Sequence, residues 1–162
     1  MNNNVPLIEG TKIYLRSCNR EDDRQLIRDL TEQNFRTSFE RTIGWDAARH
    51  ERQPEFPEYF TMVTDAGQTI GFISVRQQPD VLYLETIQLQ QTHRSKGIGT
   101  ALMKYVEQLA VANDKEWIRF RVFKNNPARH LYDRLGYQVA EDQDWCFLME
   151  KKINPNQSSE PT

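Results

Sequence analysis

The chain has 162 residues, with 21 Lys and Arg against 23 Asp and Glu for a formal net charge of −2, and 38 % of its residues are hydrophobic. That length suits one domain with a buried core, and the near-neutral charge argues against bulk attraction to nucleic acid or to an acidic membrane. No apolar run approaches the roughly 20 residues of a membrane span, and Cys18 and Cys146 are too far apart in sequence to read as a metal-ligand pair.

Met1-Asn2-Asn3-Asn4 is not a basic segment followed by an apolar one, so no export signal is expected, and the cysteines are expected as reduced thiols in a cytoplasm. Residues 1–6 and the polar tail 154–162 read as flexible ends around one domain over 7–153. Lys12–Arg16 alternates and reads as a strand. Asn19 followed by Glu21-Asp22-Asp23 reads as a helix start, and the helix carries Leu26, Ile27 and Leu30 to about Gln33. Residues 34–57 carry no interpretable motif. Phe35, Phe39, Ile43 and Trp45 are their apolar anchors, and Trp45–His50 has the composition of a short second helix closed by Pro54 and Pro57. Phe60–Thr64 and Thr69–Val75 form a hairpin around Asp65–Gln68. Val81–Leu89 is the next strand. Ile98, Ala101, Leu102, Tyr105, Val106, Leu109 and Ala112 recur at helical spacing. Trp117–Phe123 is a strand, Pro127 opens and Gly136 ends a helix, and Tyr137–Val139 and Trp145–Met149 are the last strands. This order predicts an α/β fold: one central, mixed, mostly antiparallel sheet of about seven strands with helices on both faces.

The order places His93-Arg94-Ser95-Lys96-Gly97-Ile98-Gly99 between a strand and a long helix. A helix start leaves four backbone N–H groups unpaired and carries partial positive charge. Glycines let that backbone approach a ligand closely, so the stretch suits phosphate, most simply a pyrophosphate. Arg94 and Lys96 add full charges. The Gly-Lys-Ser/Thr ending of a nucleotide-triphosphate loop is missing, and so is the third glycine of the dinucleotide fingerprint.

Arg94-x-x-Gly97-x-Gly99 in this position resembles the coenzyme A loop of the GNAT superfamily of N-acetyltransferases. Asn125-Asn126-Pro127-Ala128-Arg129-His130-Leu131-Tyr132-Asp133-Arg134-Leu135-Gly136-Tyr137 resembles the family's Asn-x-x-Ala-x-x-Leu-Tyr-x-x-x-Gly-Phe/Tyr segment. The two blocks and what lies between cover about Leu82 to Glu150. The resemblance implies a sheet splayed between its fourth and fifth strands to admit the pantetheine arm, with acetyl-CoA as co-substrate and no metal. It gives Arg94, Ser95, Lys96, Gly97, Ile98, Gly99 and Thr100 to the pyrophosphate, the backbone of Ile87, Gln88 and Leu89 to the pantetheine amides, and Asn125 to the cofactor arm, with Asn126 as the competing helix cap. It makes Tyr132 a general acid toward the leaving thiolate, against the plain reading of a half-buried helix aromatic. A phenol of pKa about 10 is protonated at neutral pH and can donate.

Glu85 is either an exposed strand charge or the base that deprotonates the acceptor amine. Its strand parity with Ile87 and Leu89 favours the second reading unless a bulge intervenes. Glu40 and Asp46 are candidates to hold a cationic amine. His93 borders the phosphate loop, His130 points away from Tyr132, and Cys146 reads as core. Three function classes remain at this point: an N-acetyltransferase acting on a primary amine of a small molecule or peptide, a non-catalytic acyl-CoA-binding module, and a nucleotide-binding regulator, which the missing nucleotide loops disfavour. No nucleic-acid or membrane partner is expected. Homodimers are common in the family, and no motif here speaks to one.

Overall fold

The computed structural model of the chain describes residues 5–42 and 59–153. Ile13 and Leu15, alternating in sequence, are buried and make β1 (Ile13–Ser17). Asn19 caps α1 (Arg20–Thr42): its Oδ1 accepts the Glu21 N–H at 3.1 Å, and Asp23 reaches back to the Asn19 N–H at 2.7 Å. Each side chain satisfies a backbone donor of the other's segment, as in a capping box. The helix runs well past Gln33. Arg36 pairs there with Glu32 at 2.5 Å and Glu40 at 2.9 Å, both one turn away, and such pairs support an exposed helical stretch.

The hairpin of β2 (Phe60–Asp65) and β3 (Gln68–Gln77) turns through Ala66 (φ 51°) and Gly67 (φ 86°), the paired positive φ of a two-residue turn that suits strand twist. The next elements fall where the spacing predicts them: β4 (Val81–Leu89), α2 (Ile98–Ala112) after a 3-10 turn at Gln91–His93, and β5 (Trp117–Phe123). Then come α3 (Arg129–Arg134), β6 (Gln138–Gln143) and β7 (Cys146–Lys152). Gly136 (φ 88°) ends α3, and the Tyr137 N–H bonds back to the Tyr132 carbonyl at 3.1 Å. The expected helix at 45–50, with Asp46 in it, and both chain ends lie outside the described residues.

The seven strands form one mixed sheet in the order β1-β2-β3-β4-β5-β7-β6. Pairing is antiparallel at β1–β2, β2–β3, β5–β7 and β6–β7 and parallel at β4–β5, where the ladder covers Val81–Tyr83 against Trp117–Arg119. The described residues form two units: those before Val75 with Thr86–Ala101, and Val75–Glu85 with those from Leu102 onward. In the first, Ile27 and Leu30 of α1 pack with Met62 and Phe72 of the hairpin, flanked by Cys18 and Phe60. In the second, the apolar stripe of α2 (Leu102, Met103, Val106, Ala110) is buried, as are Ile118, Phe120 and Met149 of the sheet. No helix among the described residues is long and apolar enough to cross a membrane.

Candidate functional site

In the first unit, Ser95 (φ 60°) and Gly97 (φ 82°) take left-handed conformations just ahead of α2. Gly97 is the natural occupant of such a position, and Ser95 there is uncommon. The first helical bond runs from the Ala101 N–H to the Gly97 carbonyl at 3.1 Å, so the N–H groups of Gly97, Ile98, Gly99 and Thr100 stand ahead of it. A Cβ built on Gly97 meets nothing within 4 Å. Residues 94–100 carry two positive charges and no negative one. Backbone donors, the helix dipole and unopposed cations together fit a diphosphate.

Arg94 does more than supply charge. Its Nε donates to the Leu89 carbonyl at 3.3 Å, and its Nη2 donates to Asn34 Oδ1 in α1. Asn34 Nδ2 in turn donates to Gln88 Oε1 at 3.2 Å, and Gln88 Nε2 donates to Thr86 at 3.2 Å and to Thr31 at 3.4 Å. Gln88 is buried, so its amide depends on these partners. The loop is therefore tied to the end of β4 and, through Asn34, to α1. His93 adds a second tie, with Nε2 3.1 Å from Asp65 at the hairpin. Asn34 has no signal in the sequence, because its partners are 54 and 60 residues away.

Face parity does not carry along β4 as expected. Glu85 is exposed and Ile87 half-buried, but Gln88 and Leu89 are both buried. Opposite Gln88, β3 comes very close: a Cβ on Gly71 would overlap the Gln88 carbonyl oxygen.

In the second unit, Tyr132 packs its ring 4.5 Å from that of Phe120 and 6.4 Å from that of Tyr137. Its hydroxyl has no hydrogen-bond partner among the described residues, and burial pushes its pKa up to about 12. Tyr137 is also raised, by burial first and then by the nearby Glu107, to which its hydroxyl donates at 3.3 Å. The helix start at Ala128 has no side-chain cap; Asn126 instead closes the turn ahead of it, its Oδ1 accepting the Ala128 N–H at 2.9 Å, and Asn125 is exposed beside it.

Glu85 lies on the other face of the same unit. Successive residues of a strand point to opposite sides, so Phe120, under Tyr132, and Arg121 face apart. Arg121 donates to the Tyr83 hydroxyl at 3.2 Å. Arg76 sits 5.9 Å over the Tyr83 ring and pairs with Glu85 at 2.5 Å. The unit thus separates two chemistries: a protonated phenol on the Phe120 face, and a carboxylate among arginines on the Tyr83 face. Arg76, Tyr83 and Arg121 carry no motif that would single them out, although the alternation Trp117, Arg119, Arg121 marks the outward side of β5.

No group of acidic, His and Cys side chains that could hold a metal occurs among the described residues. Among solved structures, the chain is similar to the PaiA N-acetyltransferase from Thermoplasma acidophilum in complex with coenzyme A, at 19 % identity and TM-score 0.70, over 86 % of this chain and 98 % of that one. It is similar to the ribosomal-protein-S18-alanine N-acetyltransferase from Escherichia coli at 17 % identity and TM-score 0.67, over 88 % and 94 %. Arabidopsis thaliana Naa50 with the bisubstrate analogue CoA-Ac-MVNAL matches at 17 % identity and TM-score 0.65, over 86 % and 98 %. At these identities the likeness shows the fold. The model of the acetyltransferase (GNAT) family matches residues 24–137, which take in most of α1, the loop ahead of α2 and Tyr132, and the chain belongs to that family.

Proposed function

We propose that the protein is an acetyl-CoA-dependent N-acetyltransferase that moves an acetyl group to a primary amine by direct attack in a ternary complex. The observation that carries this reading is the cradle of Ser95, Gly97 and the α2 start, in a chain of the acetyltransferase family. Acetyl-CoA supplies the acetyl group as a thioester. Gly97 to Thr100 hold its diphosphate by backbone N–H groups, with Arg94 and Lys96 adding charge. The backbone of Ile87, Gln88 and Leu89 aligns the arm, and Asn125 lies near its path.

The β4–β5 ladder runs from Val81–Tyr83 against Trp117–Arg119 and ends short of Glu85, so a thioester lodged between the two strands is open to Glu85 from one face and to Tyr132 from the other. Glu85 takes the proton that the amine must lose, directly or through water. As the new C–N bond forms and the C–S bond breaks, the electron pair leaves on sulfur. Tyr132 faces that charge with an O–H. Burial raises its pKa, so at neutral pH it is protonated and can donate to the departing thiolate as general acid, through a hydrogen bond that strengthens as charge develops on sulfur.

Tyr132→Phe keeps the ring on Phe120 and removes only the donor. Turnover, followed by free-thiol release with an amine acceptor, should fall by about 10²-fold, the scale of one lost charge-stabilising donor. Affinity for acetyl-CoA should hardly change. Full activity in this variant would make Tyr132 a packing residue. Tight coenzyme A binding without acetylation of any amine would leave a binding module.

A further inference from the structure

The face of the second unit that holds Glu85 is richer in positive charge than a site for a simple amine requires. Glu85 has Arg76 at 2.5 Å, and both side chains are open to solvent, at 40 % and 52 % exposure. Arg121 is exposed too, and its partners are neutral: the Tyr83 hydroxyl at 3.2 Å and Gln143 Oε1 at 2.9 Å. Among the described residues, no carboxylate pairs with Arg121. Its neighbour two residues back on the same side, Arg119, is by contrast neutralised by Glu150 at 2.7 Å. One carboxylate thus stands with two guanidinium groups, tied together through Tyr83.

An ammonium approaching Glu85 competes with Arg76 for one carboxylate. An amine with only positive charge would add a third cation to a cluster that already holds two arginines and one carboxylate, and like charges so placed repel. A molecule that brings its own anion resolves the problem. The ammonium takes Glu85, and the anion is shared by Arg76 and the uncompensated Arg121, so the net charge of the cluster does not rise. A compact zwitterion is complementary in charge to an Arg–Glu pair, and a planar carboxylate suits the guanidinium fork.

We propose that the acceptor is an amine that carries a carboxylate close to its nitrogen, an α-amino acid or a like zwitterion, with Arg121 and Arg76 receiving the carboxylate while Glu85 receives the amine. The inference rests on the acetyltransferase reading and on Glu85 as its base. It assigns Arg121 to substrate specificity and disfavours polyamines.

The test is a thiol-release screen of the whole chain with acetyl-CoA. The common α-amino acids are offered each beside its own carboxamide, with spermidine as the all-cationic probe. Free acids should exceed their amides by about tenfold or more in kcat/KM, the scale of one charge-assisted hydrogen bond. Arg121→Gln should raise KM for the acid by about tenfold, leave kcat nearly unchanged and not affect the amide. Arg121→Lys, which keeps the charge, should recover most of the loss. Amides or spermidine performing as well as the acids would overturn the inference and leave the acetyltransferase reading intact. So would an equal loss for acid and amide in Arg121→Gln. If no amine is turned over although coenzyme A binds, the acetyltransferase reading falls and this inference falls with it.

Discussion

In the first unit, Asp23 is 5 % exposed and takes Arg16 in a two-pronged contact, both oxygens at 2.7 Å, while the Asn19 N–H donates to the same carboxylate. Arg16 continues to Thr69 of β3 at 2.9 Å, so β1, α1 and the hairpin meet on one carboxylate. In the second unit, Glu85 is 40 % exposed, and Arg76 is its ion-pair partner. Both are acid–arginine pairs at similar distances, yet they are different devices. Around Asp23, burial favours the neutral acid, but the bond from Arg16 and the Asn19 N–H more than offset it and hold the carboxyl below its ordinary range. The charge is fixed and its geometry over-determined. Around Glu85 water competes for both partners, so the pair exchanges at little cost. An exposed pair that exchanges readily suits the role proposed for Glu85. A pair that joins three elements belongs in the buried setting of Asp23.

Three substitutions would break or sharpen this contrast. Glu85→Gln carries the largest expected effect: a fall in turnover of about 10²–10⁴-fold, the range for a lost general base, with the thermal midpoint almost unmoved. Normal rates across pH would reduce Glu85 to a surface charge. Asp23→Asn should do the reverse. It leaves Arg16 short of its counter-charge in a largely buried contact and should destabilise by about 2–3 kcal/mol, read from urea unfolding, with coenzyme A affinity kept in the folded protein. The sign of its pH dependence follows from the lowered pKa. The stabilisation is complete above the unfolded value of about 3.9 and is lost as pH falls through the folded value, so the wild type should lose this increment only in strong acid. The Asp23→Asn variant has no such increment to lose. Arg76→Gln should carry the smallest effect, below about 0.5 kcal/mol on unfolding, as for other exposed pairs. A loss above about 2 kcal/mol would place Arg76 in the same class as Arg16.

The sequence discloses local features of this molecule well and distant pairings poorly. β4, α2 and β5 can be bounded correctly because each is a run of one periodicity closed by turn residues. The turn of Arg94 to Gly99 into α2 is legible because glycines between a strand and a helical run show in the spacing. α1 reads as ending near Gln33, and its continuation carries the Arg36 ion pairs with Glu32 and Glu40, which sequence alone does not single out. The Asn34–Gln88–Arg94 chain is invisible, since three polar residues far apart in sequence give no pattern until the fold joins them. Asn125 and Asn126 are adjacent and chemically equal, so sequence can rank but not separate them; in the fold it is Asn126 whose Oδ1 accepts the Ala128 N–H.

The near approach of β3 to β4 at Gly71 has a consequence for how this protein can vary. A methyl group there would overlap the Gln88 carbonyl and crowd the Leu89 side chain at 2.8 Å, whereas Gly67 and Gly10 have open space at the same point. Backbone, unlike a flexible side-chain end, cannot swing aside. Any residue larger than glycine at 71 would push the end of β4 outward, and with it the Leu89 carbonyl that anchors Arg94. In a library of random variants, position 71 would behave as though it were part of the loop that Arg94 anchors, although it lies far from that loop along the chain.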